Sequence, residues 1–150
     1  MCVWYYTALD KLRSVFNNTR MHKRSRTKEL LEFEIGFYER LLEAHPDFTD
    51  ALVALGEAYT RSRLYDKGLA VDLKLIQLKG RDPVVWYNLA CSYSLLNRSD
   101  ESLDALQRAV TLGYDDFSHL GKDSDLSHLR QSPKFRRFLE TLLPAKPSAA

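Results

Sequence analysis

The chain has 150 residues, 45% hydrophobic and 28% charged, an ordinary balance for one soluble globular domain, and no apolar run approaches the roughly 18 residues of a membrane span. Two cysteines, Cys2 and Cys91, make no disulfide framework and suit a reducing, cytoplasmic setting. The net charge of +2 conceals an asymmetry: residues 1–28 carry seven Lys/Arg against Asp10 alone, or +6, and the remainder carries 15 basic against 19 acidic residues, or −4.

The opening stretch "MCVWYYTALDKLRSVF" does not have the order of a secretory signal, because its apolar residues precede its positive charges. Trp4, Tyr5, Leu9, Leu12, Val15 and Phe16 recur mostly three and four residues apart, which predicts a helix with one apolar face. Such a helix would dock on the one that follows as an N-terminal cap; the alternative is that the chain up to Met21 is dispensable. The block "RMHKRSRTK" is the one segment that suggests nucleic acid or an acidic membrane surface. It lacks the interleaved aromatics that stack bases, so a solvated connector is the expected reading.

From Lys28 to Ala44, Leu31, Ile35, Tyr38 and Leu42 with Leu30, Phe37 and Leu41 form a broad apolar stripe that ends at His45-Pro46-Asp47. Asp50 is the expected cap of a second helix, which breaks near Arg61 to Arg63; a third runs from Tyr65 to Lys79 and stops at Gly80. Asp82-Pro83 opens a fourth, reaching about Leu96. Ser99 is the expected cap of a fifth, with Asp100 and Glu101 in its first turn and Gly113 after its end. No stretch alternates with period two, so sheet is not expected.

The sequence repeats itself. Leu55, Gly56 and Tyr59 return 34 residues later as Leu89, Ala90 and Tyr93, and Leu69 and Leu78 return as Leu103 and Leu112. With Trp86 ahead of Leu89, the second copy reads W-x2-L-[small]-x2-Y at a 34-residue helix-turn-helix period, a pattern that resembles the tetratricopeptide repeat. The first copy departs from that family at Leu52, Gly68, Asp72 and Leu75. The resemblance implies an all-α fold, a right-handed superhelix of antiparallel helix pairs, with a partial repeat at 27–48 and two repeats at 49–82 and 83–116. Residues 1–26 would precede this 27–116 array and 117–143 would close it, since "LSHLR" and "SPKF" resemble the terminal segment of bacterial members; 144–150 reads as a tail. Trp86, Leu89 and Tyr93 would be core, and Gly56 and Ala90 would let helices approach closely. Arg130, Lys134, Arg136 and Arg137 would lie on the solvent side of the cap.

No catalytic constellation appears. His22, His45, His119 and His128 are scattered, and no H-E-x-x-H, C-x-x-C, G-x-S-x-G or phosphate loop occurs. The acidic stretch "DDFSHLGKDSDLSH" fails as an EF-hand, with His128 and Lys134 where glycine and glutamate belong, and is read as helix caps and a solvated turn. Cys91 is read as a small buried hydrophobe. No enzyme activity, cofactor or metal is expected.

The resemblance further implies a concave surface made by first helices, on which Asp50, Val53, Ala54, Glu57, Thr60, Arg61, Val84, Tyr87, Asn88, Cys91, Ser94 and Leu95 face inward. Six of these make the expected binding groove: Val53 and Tyr87 for an apolar anchor, Asn88 for a peptide backbone, Glu57 or Arg61 for charge selection, and Cys91. The expected partner is a peptide or protein segment; a basic-arm protein for nucleic acid or an acidic membrane surface is the alternative. Val53 and Glu57 stand where a clamp for a chaperone's C-terminal carboxylate needs lysine and asparagine, which disfavours that ligand.

Overall fold

The computed structural model describes residues 27–142, in which every regular element is helical. The readings made for residues 1–26 and for the tail from 144 lie outside the described residues. α1 spans 27–44, α2 Thr49–Arg61, α3 Tyr65–Lys79, α4 Pro83–Leu95, α5 Ser99–Thr111, α6 Phe117–Leu120 and α7 Pro133–Leu142. Two 3-10 turns, Ser124–Leu126 and Leu129–Gln131, lie between α6 and α7. None of these helices is long and apolar enough to cross a membrane.

The internal repeat is visible in the backbone. α2 and α4 start at 49 and 83 and α3 and α5 at 65 and 99, each pair 34 residues apart. The turns match as well: Arg63 and Asn97, again 34 apart, both adopt φ of 60°. This left-handed conformation lets the chain reverse in three residues, and Leu64 and Arg98 then bond back to the Tyr59 and Tyr93 carbonyls at 2.9 Å. α2 packs on α3, α3 on α4 and α4 on α5, so the chain is an all-α array of adjacent helix pairs.

Helix starts have local causes, two of them different from expectation. The Asp82 carboxylate accepts the Val84 N–H at 2.9 Å and Pro83 takes the first helical position, as an N-cap and an N1 proline should. Asp50 and Ser99 do not cap. α2 begins one residue before Asp50, α5 begins at Ser99 itself, and the preceding Phe48 and Arg98 offer no side-chain acceptor. At α5 the Arg98 guanidinium instead bonds Glu101 at 3.0 and 2.8 Å. Gly113, at φ of 109°, ends the helix.

Two apolar clusters fill the array. Ile35, Leu52, Leu55, Ala58, Tyr59, Val71, Leu75 and Val85 join α1 to α4. The second cluster joins α4 and α5 to the C-terminal segment, in which Leu120, Leu126, Leu129 and Phe135 are at most 1% exposed. Leu89 and Ala90 are core, whereas Trp86 and Tyr93 are only half-buried. Trp86 lies at the rim because its indole N–H donates to the Gly80 carbonyl at 2.9 Å and Arg108 covers the ring from 5.9 Å. Gly56 is buried, but a Cβ there would meet Val71 at 3.6 Å and Asp72 at 3.7 Å, ordinary contact, so the close approach does not demand glycine. In the second pair the Ser102 hydroxyl donates to the Ala90 carbonyl at 2.6 Å. Arg130 is half-buried, not on the solvent face, because its guanidinium donates to the Asp123 carbonyl; Lys134 is exposed and pairs with Asp100 at 2.7 Å.

Candidate functional site

α2 and α4 lie one repeat apart, so residues at equivalent positions on them turn toward the same side of the array. Between them opens a cavity of about 410 Å³. Its wall includes Val53, Glu57 and Arg61 from α2 and Tyr87, Asn88 and Cys91 from α4, so all six expected groove residues meet at one place. Thr60 also lines it; Asp50, Ala54, Val84, Ser94 and Leu95 do not. Ser94 is wholly buried beneath the C-terminal segment, where its hydroxyl accepts the Leu129 N–H at 3.3 Å and its carbonyl meets His128 Nδ1 at 3.0 Å.

Three further lining residues come from the segment after the array. His119, Asp123 and Asp125 fold back against α4, and Asp123 holds them there. One of its carboxylate oxygens accepts the Tyr87 hydroxyl and lies 3.8 Å from the Cys91 thiol and 3.4 Å from His119 Nε2; the other accepts the Asp125 N–H at 2.9 Å and so caps the first 3-10 turn. Tyr87 also stacks on Tyr114, centroids 4.5 Å apart and planes within 3°. Tyr87, expected with Val53 to hold an apolar anchor, lines the cavity but is itself buried, as a joint between groove and cap. The acidic stretch read as a solvated turn forms one wall of the cavity.

Asp72 forms the floor. It occupies the α3 position equivalent to Leu106 of α5, which is fully buried, and Asp72 itself is 6% exposed. The Ser92 hydroxyl donates to it at 2.5 Å. Burial pushes its pKa up to about 6, the Ser92 bond opposing. Sequence comparison of the two copies marks Asp72 as a departure from an apolar position; its contact with Ser92, a polar residue on α4, depends on how α3 meets the next repeat.

Electrostatically the cavity is acidic. Glu57, Asp72, Asp123 and Asp125 line it, and Arg61 is the one lysine or arginine among the lining residues. Arg61 is already paired with Glu34 of α1 at 2.5 Å. Burial raises the Asp125 pKa, with Asp123 adding to it. Burial likewise raises the Tyr87 hydroxyl and the Cys91 thiol; nearby Asp123 adds to both. A thiol held protonated in this way is a poor nucleophile. Among the described residues, no group of three or more His, Cys, Asp or Glu side chains is placed to hold a metal ion.

No family model matches the chain. It is similar over 57 residues, at 44% identity, to a chloroplastic protein of Arabidopsis thaliana. The match covers 38% of this chain and 17% of that protein's length.

Proposed function

We propose that the chain is a non-catalytic interaction module of the tetratricopeptide type, which binds an extended peptide or protein segment in the cavity between α2 and α4 through a basic side chain. The observation that carries this reading is the convergence of residues one repeat apart on one open cavity whose carboxylates outnumber its cations. An inserted lysine or arginine would meet Glu57 at the exposed wall, while Val53 offers apolar contact to its stem and Asn88 a donor and an acceptor to the peptide backbone. The same charge disfavours a C-terminal carboxylate as the group bound. Burial raises both the Cys91 thiol and the Tyr87 hydroxyl, so neither lines the cavity as an ionised nucleophile, which fits a binding role for it.

Peptides of equal apolar content carrying either Lys/Arg or Glu at their centre, titrated against the full chain, test this. The basic peptide is expected to bind and the acidic one not. Glu57→Gln is expected to weaken binding by about tenfold or more, the worth of one charge-assisted hydrogen bond. Equal binding of both peptides, or no effect of Glu57→Gln, would contradict the reading. A duplex oligonucleotide in parallel tests the alternative, since phosphate binding would run with opposite charge preference and fall steeply with salt. The proposed location is the cytoplasm, on the cysteine usage; the chloroplastic relative supplies the competing compartment, and imaging of a C-terminal fluorescent fusion separates them.

A further inference from the structure

α1 has two apolar faces. Leu31, Ile35, Tyr38 and Leu42 pack into the first cluster, whereas Leu30, Phe33 and Phe37 are 63%, 69% and 48% exposed. At about 100° per residue the two sets lie roughly 140° apart on the helix, so packing against α2 and α3 cannot cover both. Three large apolar side chains in a row at the end of an array are an association surface. We propose that residues 3–16 of the same chain cover this face and close the N-terminal end of the array.

Three observations name this segment as the occupant. Its apolar residues Trp4, Tyr5, Leu9, Leu12, Val15 and Phe16 fall mostly at helical spacing, and as a helix its fourteen residues would measure about 21 Å, against about 17 Å from Leu30 to Leu41 on α1. Charge is of the right sign: residues 3–16 carry Lys11 and Arg13 against Asp10, or +1, the connector 17–26 adds four basic residues, or +4, and 27–44 carry five acidic against two basic, or −3. The third is the tether. Ten residues, 17–26, separate the segment from α1; a coil of that length would reach roughly 18 Å and set an effective concentration near the millimolar range, against which a second copy of the chain at micromolar concentration would lose.

Trp4 reports on the outcome. Subtracting the fluorescence of Trp4→Phe from that of the full chain isolates Trp4 without disturbing Trp86, and the measurement is repeated in a Phe33→Asp/Phe37→Asp background, which alters only exposed side chains. The expected result is blue-shifted Trp4 emission, several-fold shielded from iodide, independent of protein concentration, and lost in the double variant, while Trp86 emission, which reports on the array, is unchanged. Trp4 emission at the solvent-exposed position in the unaltered chain overturns the proposal. So does shielding that persists in the double variant, since the segment would then sit elsewhere, and so does shielding that fades on dilution as a dimer dissociates, since a second copy would then be the occupant.

Discussion

Asp72 shows how a single residue links stability to the groove. Its pKa is raised from an ordinary 3.8 to about 6, so between those values the unfolded chain has released a proton that the folded chain still holds. Stability from this group is therefore fully present below about pH 4 and is lost as pH rises through about 6, by roughly 3 kcal/mol in total at about 1.4 per unit. Asp72→Asn, which keeps an acceptor for Ser92, is expected to raise the melting temperature at pH 7.5 and to flatten the wild-type difference between pH 4 and 6. Melting curves across that range check it, and parallel pH profiles for the two proteins would mean that Asp72 is hydrated. At Gly68, a Cβ would lie 3.7 Å from Thr60 and 3.9 Å from Ser92, ordinary contact. Gly68→Ala is then expected to stabilise the helix by about 0.5–1 kcal/mol, read as a higher denaturant midpoint, whereas a fall would show that the α2–α3 approach needs the smaller residue.

At the scale of elements, α4 is the helix on which the others depend. It meets α3, α5 and the first 3-10 turn, so Val85, Tyr87, Leu89, Ala90, Cys91, Ser92 and Ser94 are all buried on one thirteen-residue helix. This is why Tyr87 and Ser94, expected on the groove surface, are joints to the C-terminal segment, whereas Asn88 lines the cavity. Periodicity and the 34-residue offset made the helices and their turns legible, because those depend on local spacing; the six convergent residues followed from the resemblance to the tetratricopeptide repeat, which implies the inward positions of its first helices. The return of Asp123 onto Tyr87 was not legible, because an aspartate between a glycine and a 3-10 turn looks the same whether it caps in solvent or reaches a partner 36 residues away. Asp82 and Ser99 make the same point: both have cap chemistry, but only Asp82 falls one residue before its helix. Trp86→Ala is expected to cost about 2–3 kcal/mol, less than the 3–5 typical of a fully buried ring, because the indole is at the rim and loses one hydrogen bond and partial packing. Chemical denaturation decides it, and an unchanged midpoint would place the indole in water.

For the whole molecule, an array of helix pairs leaves an apolar face at each end, and what covers the ends determines whether copies associate through them. The C-terminal end is closed by Leu120, Leu126, Leu129 and Phe135, which share one cluster with α4 and α5. Removing residues 117–150 is expected to expose Leu103, Leu106 and Ala109 and to take away the Asp123 wall of the groove, giving a chain that self-associates on gel filtration. A monomeric truncated protein of undiminished helicity would deny the segment its closing role. The groove and the cap are thus one unit, in which the residues that seal the array also supply its acidic wall. The most direct measurement of that claim is a map of backbone amide shifts as a lysine- or arginine-centred peptide is added to the full, isotope-labelled chain. Perturbations are expected to concentrate at Val53, Glu57, Arg61, Asn88 and 119–125 and to saturate together. Shifts confined to the outer face of α1 or to residues 1–26, with the α2–α4 cavity silent, would contradict it.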